Sequence, residues 1–406
     1  MRRFSVEQRR VRLGRRHHLA VESPAPNAAS AAEHVFGFHA SDPATVYLSA
    51  WARVPGFAVA DLERSLYEDH TLLRHMGMRR TLFTLPVELL GVAQSACGDP
   101  VAAAVRKRLS KELQQGGVAV NGMAWIDDAM AATIDALRTL GPSTGAQISE
   151  AVPVLRTRLG TGPLDVAATT RVLTLMGLEG HLVRDRPIGS WISSTHRWAL
   201  APTDLLAAHG GGRPEAGVAT AELVRRWLAA FGPAPVADIV WWTGLGVTRV
   251  RAALATIGAV DVEVEVGVPV GSSASRYEAA VALPDDLDDD PPVAPWVALL
   301  PALDSTSMGW KQREWYVGDH TARLFDRNGN IGPTVWSNGR IIGRWLQRRP
   351  GGEVVFELFD KHSADVVAAV GTRVAELQTW LGPVTVSPRF PTPPPRTLSV
   401  STGSAG

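Results

Sequence analysis

ATAELVRRWLAAFG (219–232), PVADIVWWTGL (235–245) and VTRVRAALATIG (247–258) are followed by VDVEVEVGVPV (260–270) and SRYEAAVAL (275–283). The first three segments carry apolar residues at helical spacing and are separated by glycine and proline, so they read as three short helices. Gly232 closes the first, and Pro233 and Pro235 stand near the start of the second. The last two segments alternate apolar and polar residues with period two, as half-buried strands do. Three helices followed by a β-wing is the winged form of the helix-turn-helix.

The same order precedes it. In 140–200, GPSTGAQISEAVP (141–153) offers Ser143 as an N-cap, PLDVAATTRVLTLMGLEGHL (163–182) reads as a helix with Gly180 as its C-cap signal, and LVRDRP (182–187) with GSWISSTHRWAL (189–200) reads as two strands around a turn. Residues 1–86 fit less cleanly: a basic helix at 5–20, an Ala-rich helix near 27–36, ATVYLSAWARV (44–54), VADLERSLYED (59–69), and a strand pair in LLRHMGMRRTLFTLP (72–86). Residues 296–386 differ, with strand-like runs VALLP (297–301), TARLFD (321–326), PTVWSNGRIIGRWLQRR (333–349) and EVVFELFD (353–360), then an amphipathic helix at 364–382. Asn338-Gly339 between alternating strands signals a type I′ hairpin. The expectation is an α+β chain of three tandem winged-helix domains and a C-terminal β-rich unit. Their bounds are 1–138 (with a helical extension), 139–202, 203–290 and 291–386, and a disordered tail follows at 387–406. PTDLLAAHGGGRPEAG (202–217) reads as a linker, LPDDLDDDPPVAP (283–295) as a solvated acidic spacer, and GSSAS (271–275) as a hairpin turn.

At 406 residues the chain is long enough for two to four domains and can bury its cores without staples. Its one cysteine, Cys97, excludes a disulfide framework, a zinc finger and an iron–sulfur cluster; it is expected as a buried small hydrophobe in a reducing compartment. No apolar run approaches the ~18–20 residues of a membrane span. The N-terminus is basic without an apolar core behind it, so no secretory signal is expected; on charge alone it resembles a transit peptide, but Leu13, Leu19 and Val21 at core-like spacing favour a helix. Only four of the 41 basic residues are lysines (Lys107, Lys111, Lys311 and Lys361). That bias fits either an Arg-rich codon usage or phosphate recognition by bidentate guanidinium. The net charge is only +1, yet seven arginines lie in the first sixteen residues and Asp285, Asp286, Asp288, Asp289 and Asp290 cluster elsewhere, so a neutral total can hide a basic face. Walker A, GxGxxG, HExxH and GxSxG motifs are absent.

The segment HVFGFHASDPATVYLSAWARVPGF (34–57), with MRRTLFTLP (78–86), LLPALDSTSMGWKQRE (299–314) and NGNIGPTVWSNGRIIGRW (328–345), resembles the AlkZ/YcaQ family of bacterial DNA glycosylases, winged-helix proteins that excise bulky alkylated bases and interstrand crosslinks. The resemblance runs over roughly 1–385 with its blocks in family order. It implies three tandem winged helices and a C-terminal β-barrel forming a concave, C-shaped clamp for duplex DNA. It also implies an enzyme without cofactor or metal, monomeric, acting on double-stranded DNA that carries an alkylated base, in the cytoplasm at the nucleoid, with no membrane partner.

The family's catalytic element is Gln-x-Gln, or Gln-x-Asp in the crosslink-repair branch; here His39-Ala40-Ser41 stands at those positions. Alkylation of guanine at N7 already makes the base a good leaving group, so the enzyme need only position a water and stabilise an oxocarbenium-like transition state. Polar side chains at i and i+2 of an extended segment point the same way. A neutral imidazole can accept a proton from the water and a serine hydroxyl can donate or accept, so His39 and Ser41 can hold one water between them. Asp42 is read as the N-cap of a helix beginning at Pro43, and alternatively as a group that orients the loop or stabilises charge on the sugar. No lysine lies near the motif, so a monofunctional enzyme is expected, acting in repair or self-resistance to a DNA-alkylating natural product. Arg79 and Arg80 in the first wing, and Arg340 and Arg344 in the Asn-Gly hairpin, are the candidate DNA contacts. Trp241 and Trp242 could stack on an adduct, but adjacent helical aromatics more often face a core on one side. Asp304, Met308, Trp310 and Lys311 read as a structural block. The alternative function is a non-catalytic winged-helix regulator or adduct sensor.

Overall fold

The three-helix run forms as its spacing dictates. In the computed structural model, which describes residues 1–159, 166–202, 213–267 and 276–390, helices occupy Ala216–Phe231, Val236–Thr243 and Val247–Thr256. The second ends at Gly244 in the left-handed conformation (φ 72°), the backbone state for which glycine carries no Cβ penalty. Strands Val260–Glu265 and Tyr277–Ala282 pair antiparallel behind them, and Arg3–Phe4 adds a parallel edge strand opposite Glu263 and Val264. Phe4, Val262, Val264, Ala280 and Ala282 form the core of this small sheet. GSSAS (271–275) and most of the linker at 202–217 lie outside the described residues. Trp242 packs inward against Phe36, Trp227 and Phe231, while Trp241 is half-buried under the Arg313 guanidinium, so the pair does face a core on one side.

Two compact units divide the chain, one of residues 1–62 with 224–406 and one of residues 63–223. In the second unit, helices Asp99–Gln115, Gly122–Leu140, Gly145–Ala151 and Ala168–Leu178 bury Leu109, Ile126, Ile148, Val172 and Met176 in one cluster. A hairpin of Leu182–Pro187 and His196–Leu200 follows. Thr144, not Ser143, caps the helix at 145: its hydroxyl and Gln147 make a reciprocal capping box, because Ser143 is drawn into a backbone bridge with Trp198. Gly180 sits just past its helix at φ 78°, as expected. A second hairpin, Leu72–Met76 with Leu82–Pro86, carries Arg79 and Arg80 at its turn. Cys97 is buried.

The first unit also holds helices Val6–Arg16, Ala28–His34 and Pro43–Trp51 and a four-stranded antiparallel meander, Val297–Leu300, Thr334–Ser337, Arg340–Gln347 and Val354–Leu358, against which helix Ala364–Leu381 packs. Asn338 and Gly339 both take positive φ (48° and 77°) between paired Ser337 and Arg340, the type I′ turn expected of Asn-Gly. TARLFD is a correction: Thr321–Leu324 is a single helical turn, because Phe325 leaves the helix and bridges Ile331 across a tight loop instead of extending a strand. Helix Ala364–Leu381 closes the sequence of elements. The fold is mixed α+β. Among the described residues no helix is long and apolar enough to cross a membrane.

The acidic run is not a solvated spacer. Asp286 and Asp290 accept the guanidinium groups of Arg12 and Arg16 at 2.6–3.2 Å, and Asp289 pairs with Arg2. Arg12 also stacks over Phe4 and is almost fully buried. The basic face expected of the N-terminal helix is therefore largely spent inside the molecule, against carboxylates some 270 residues away in sequence.

Candidate active site

Gly-Phe-His enters the site through a tight reversal. Phe36 (φ 49°) and Gly37 (φ 94°) both lie in the left-handed half of backbone space, which only Gly37 occupies without steric cost. The turn is pinned from two sides: the Gly37 N–H donates to the Ala32 carbonyl, and the Gly37 carbonyl accepts the Ser305 hydroxyl at 2.6 Å. The chain then extends through Phe38–His39. His39 is 7% exposed and Ser41 is half-buried. Asp42 caps helix Pro43–Trp51, its Oδ1 accepting from the Ala44 N–H at 3.1 Å, with Pro43 in the first turn. Burial pushes the Asp42 carboxyl above its ordinary range, opposed by hydrogen bonds from the Arg389 and Ala44 N–H groups.

Beneath the motif lies a fully buried polar network. Arg53 forks onto Asp304 at 2.7 and 2.9 Å, and Asp304 also accepts the Ser49 hydroxyl at 2.6 Å and the Thr306 N–H at 2.9 Å. His17 joins through Thr306 (2.8 Å) and the Ala230 carbonyl (3.1 Å). Burial alone would push the Asp304 carboxyl up; the Arg53 charge together with the hydrogen bonds from Arg53, Ser49 and Thr306 outweighs it and holds it below the usual carboxylate range. Burial, and then Arg53, pushes the His17 pKa down to about 3, so the ring is neutral at pH 7. Thr45 completes the anchoring with a hydrogen bond to the Ala302 carbonyl. The 302–306 segment thus holds the chain on both sides of His39, at Gly37 and at Thr45.

The other expected contacts divide. Arg80 is exposed and Arg79 half-buried, both at positive φ (55° and 53°) in the hairpin turn, a conformation that costs energy for side chains with a Cβ. Arg340 is exposed beside the Asn-Gly turn, whose Gly339 lies so close to Arg10 that an added Cβ would stand 2.5 Å from it. Arg344 is instead buried, its Nε donating to Glu357 at 2.8 Å and its Nη1 to the Arg323 carbonyl, because the strand register sets it directly opposite Glu357, whose carboxylate Arg323 also shares. Among the described residues no group of acidic, histidine or cysteine side chains is placed to hold a metal.

Sequence reasoning missed Ser305, which lies inside the polar run DSTS (304–307) between apolar segments. It also missed Arg389, which contacts the motif from the C-terminal end of the described chain.

The model of the family described as "DNA glycosylase AlkZ-like" matches residues 32–380. The chain belongs to the AlkZ-like DNA glycosylase family. The matched span takes in the His39–Ser41 motif, the 304–306 anchor and the Asn338-Gly339 hairpin of this AlkZ-like chain. Among solved structures, the Streptomyces sahachiroi DNA glycosylase AlkZ is similar in fold, with a TM-score of 0.70 at 18% identity over 96% of this chain and 99% of that one. Comparison with curated proteins finds no match to this AlkZ-like chain.

Proposed function

We propose that this AlkZ-like protein is a monofunctional DNA glycosylase that hydrolyses the N-glycosidic bond of a bulky N7-alkylguanine in duplex DNA, in repair or in self-resistance to a DNA-alkylating natural product. The family match over residues 32–380 supports this reading, with His39 and Ser41 where the sequence resembles the family's catalytic motif, on a segment anchored on both sides by Ser305 and Thr45. Rigid support matters because a reacting water must be held within a fraction of an ångström of its path.

In the proposed reaction the water held between His39 and Ser41 attacks C1′ of the nucleotide. The C1′–N9 bond breaks and its electron pair neutralises the cationic base, which leaves as 7-alkylguanine. The water's proton passes to His39 and then to solvent, and the product is an abasic site with no covalent enzyme intermediate. Asp42 orients the loop through its cap and adds negative charge near the developing sugar cation. The winged-helix reading of 1–138, 139–202 and 203–290, and the β-rich reading of 291–386, supply the DNA-holding units. Arg80 and Arg340 are the exposed guanidiniums proposed to meet phosphates, with half-buried Arg79 beside the first. The enzyme is proposed to act as a monomer in the cytoplasm, at the nucleoid, without cofactor.

Duplex DNA carrying a defined N7-alkylguanine tests this. Released base is expected from the wild type, with no strand cleavage, and release should fall at least about a hundredfold in His39→Ala and Ser41→Ala while DNA binding persists. Tight binding of adducted duplex with no release by the wild type would instead mark an adduct-sensing protein.

A further inference from the structure

Past helix 364–381 the chain turns back toward the motif. Gln347 on the meander holds this return: its Nε2 donates to the Val384 carbonyl at 3.2 Å, and its Oε1 accepts from the Val386 N–H at 2.6 Å. Val386 is buried, and with Pro388 it covers a cavity of about 20 Å³ whose other walls include Asp42, Thr45, Pro301 and Trp345. A space of that size accommodates one water molecule. The strap then reaches the motif itself. The Arg389 N–H donates to Asp42 Oδ2 at 2.9 Å, and the Arg389 guanidinium donates to the Ser41 carbonyl at 3.1 Å. Since Asp42 Oδ1 is already bonded to the Ala44 N–H, the carboxylate ties the strap to the helix N-terminus. Residues 387–390 are placed by these contacts, and 391–406 lie outside the described residues.

We propose that Arg389 is a positioning residue for base excision: it fixes the Ser41–Asp42 peptide from outside, so that the Ser41 hydroxyl keeps its place relative to His39. This rests on the reading of His39 and Ser41 as the water-holding pair. The physical reason is that Ser305 anchors the segment at Gly37 and the Ala302 carbonyl anchors it at Thr45, and between these points the Ser41 carbonyl is held by the Arg389 guanidinium. The guanidinium bond to the Ser41 carbonyl restrains the Ser41–Asp42 peptide plane, and the backbone bond to the Asp42 carboxylate restrains the cap that follows it. An exposed arginine beside a DNA-processing site has an obvious rival role as a phosphate contact, and the two roles part in their kinetics.

Single-turnover release of 7-alkylguanine from adducted duplex, measured over a range of protein concentrations, separates them. Arg389→Ala is expected to slow the rate at saturation about tenfold to a hundredfold, with the half-saturating concentration unchanged. Arg389→Lys, whose ammonium can still reach the Ser41 carbonyl, is expected to recover most of the rate. A raised half-saturating concentration with an unchanged limiting rate, or no change at all, would overturn the proposal. Hydrogen exchange on the free full-length protein provides an arm independent of chemistry: Arg389→Pro, which lacks both donors, should speed exchange in 37–45 and leave strand 340–347 as in the wild type. Unchanged exchange in 37–45 also overturns it. Wild-type protein that releases no base would sink the glycosylase reading and the catalytic consequence together, and the exchange result would still decide whether Arg389 holds the turn.

Discussion

Arg53 and Asp304 meet in a two-pronged ion pair with neither side chain exposed to solvent, which joins the end of the helix after the motif to the polar run that holds Gly37. Removing one member of such a pair leaves an uncompensated charge in a medium that cannot solvate it. Asp304→Ala should therefore destabilise the fold by about 3–5 kcal/mol in urea denaturation. The double variant Arg53→Met with Asp304→Leu should cost less than the sum of its single changes, because it removes both charges at once. Strict additivity would show that the pair is not the unit of stability here.

Ser305 reaches the motif through one hydrogen bond, so its loss should separate geometry from stability. Ser305→Ala is expected to lower stability by only about 1 kcal/mol. The rate of base release should fall by a much larger factor, with DNA affinity intact. A rate equal to the wild type's would mean that the Gly37 turn holds its shape without Ser305.

The pH dependence of stability has two opposed parts. His17, His75 and His196 are pushed down by burial to about 3, 4 and 4, with Arg53, Arg213 and Arg184 adding to the effect. Their folded pKa values lie below the unfolded value of about 6.5, so the unfolded chain takes up protons first and stability is lost as pH falls below 6.5. Asp238 works the other way. Burial pushes its carboxyl up to about 6, although its Oδ1 accepts the N–H groups of Lys311 and Gln312. The folded state then binds the proton first, and stability is gained as pH falls from above 6 toward 4. Measured as urea midpoints between pH 4 and 8, the wild type should gain on Asp238→Asn with falling pH, by up to about 3 kcal/mol. A difference that stays flat would place the Asp238 carboxyl in its ordinary range.

Asp286 and Asp289 belong to one acidic run but have different tasks. Asp286 receives Arg12, whose side chain is almost fully buried, and Arg16; Asp289 pairs with Arg2 at the surface. Asp286→Ala should cost about 1–3 kcal/mol because it removes one of the two carboxylates, its own and that of Asp290, that Arg12 and Arg16 share. Asp289→Ala should cost less than about 1 kcal/mol and should become harder to detect as salt is raised. Equal effects would return the run to the role of a solvated spacer.

Local signals proved dependable where the physics is local. The helix–helix–helix–hairpin order at 216–282 follows from spacings of apolar residues within each segment. The Asn338-Gly339 turn follows from the two residues that tolerate positive φ most cheaply, and the Asp42 cap from an acid immediately before Pro43. Ser143 and Thr144 show the margin of such signals: both residues can cap, and a backbone bridge to Trp198, more than fifty residues away, decides between them. TARLFD forms a helical turn because Ala322, Arg323 and Leu324 favour helix, and Phe325 then turns back on Ile331 in a tight loop.

Composition and spacing along the chain determined the kinds of element and their order, and resemblance to the family singled out His39-Ala40-Ser41, at which chemistry is proposed. The tertiary structure alone decided which charges remain at the surface. Arg344 is spent on Glu357, Arg12 and Arg16 on Asp286, and Arg53 on Asp304, while Arg80 and Arg340 stay exposed. It also decided that Arg389 would reach Asp42 across most of the length of the chain. The reason is that a hydrogen-bonded turn is settled by the few residues within it, whereas the cost of burying a charge is settled by whatever partner folding brings beside it.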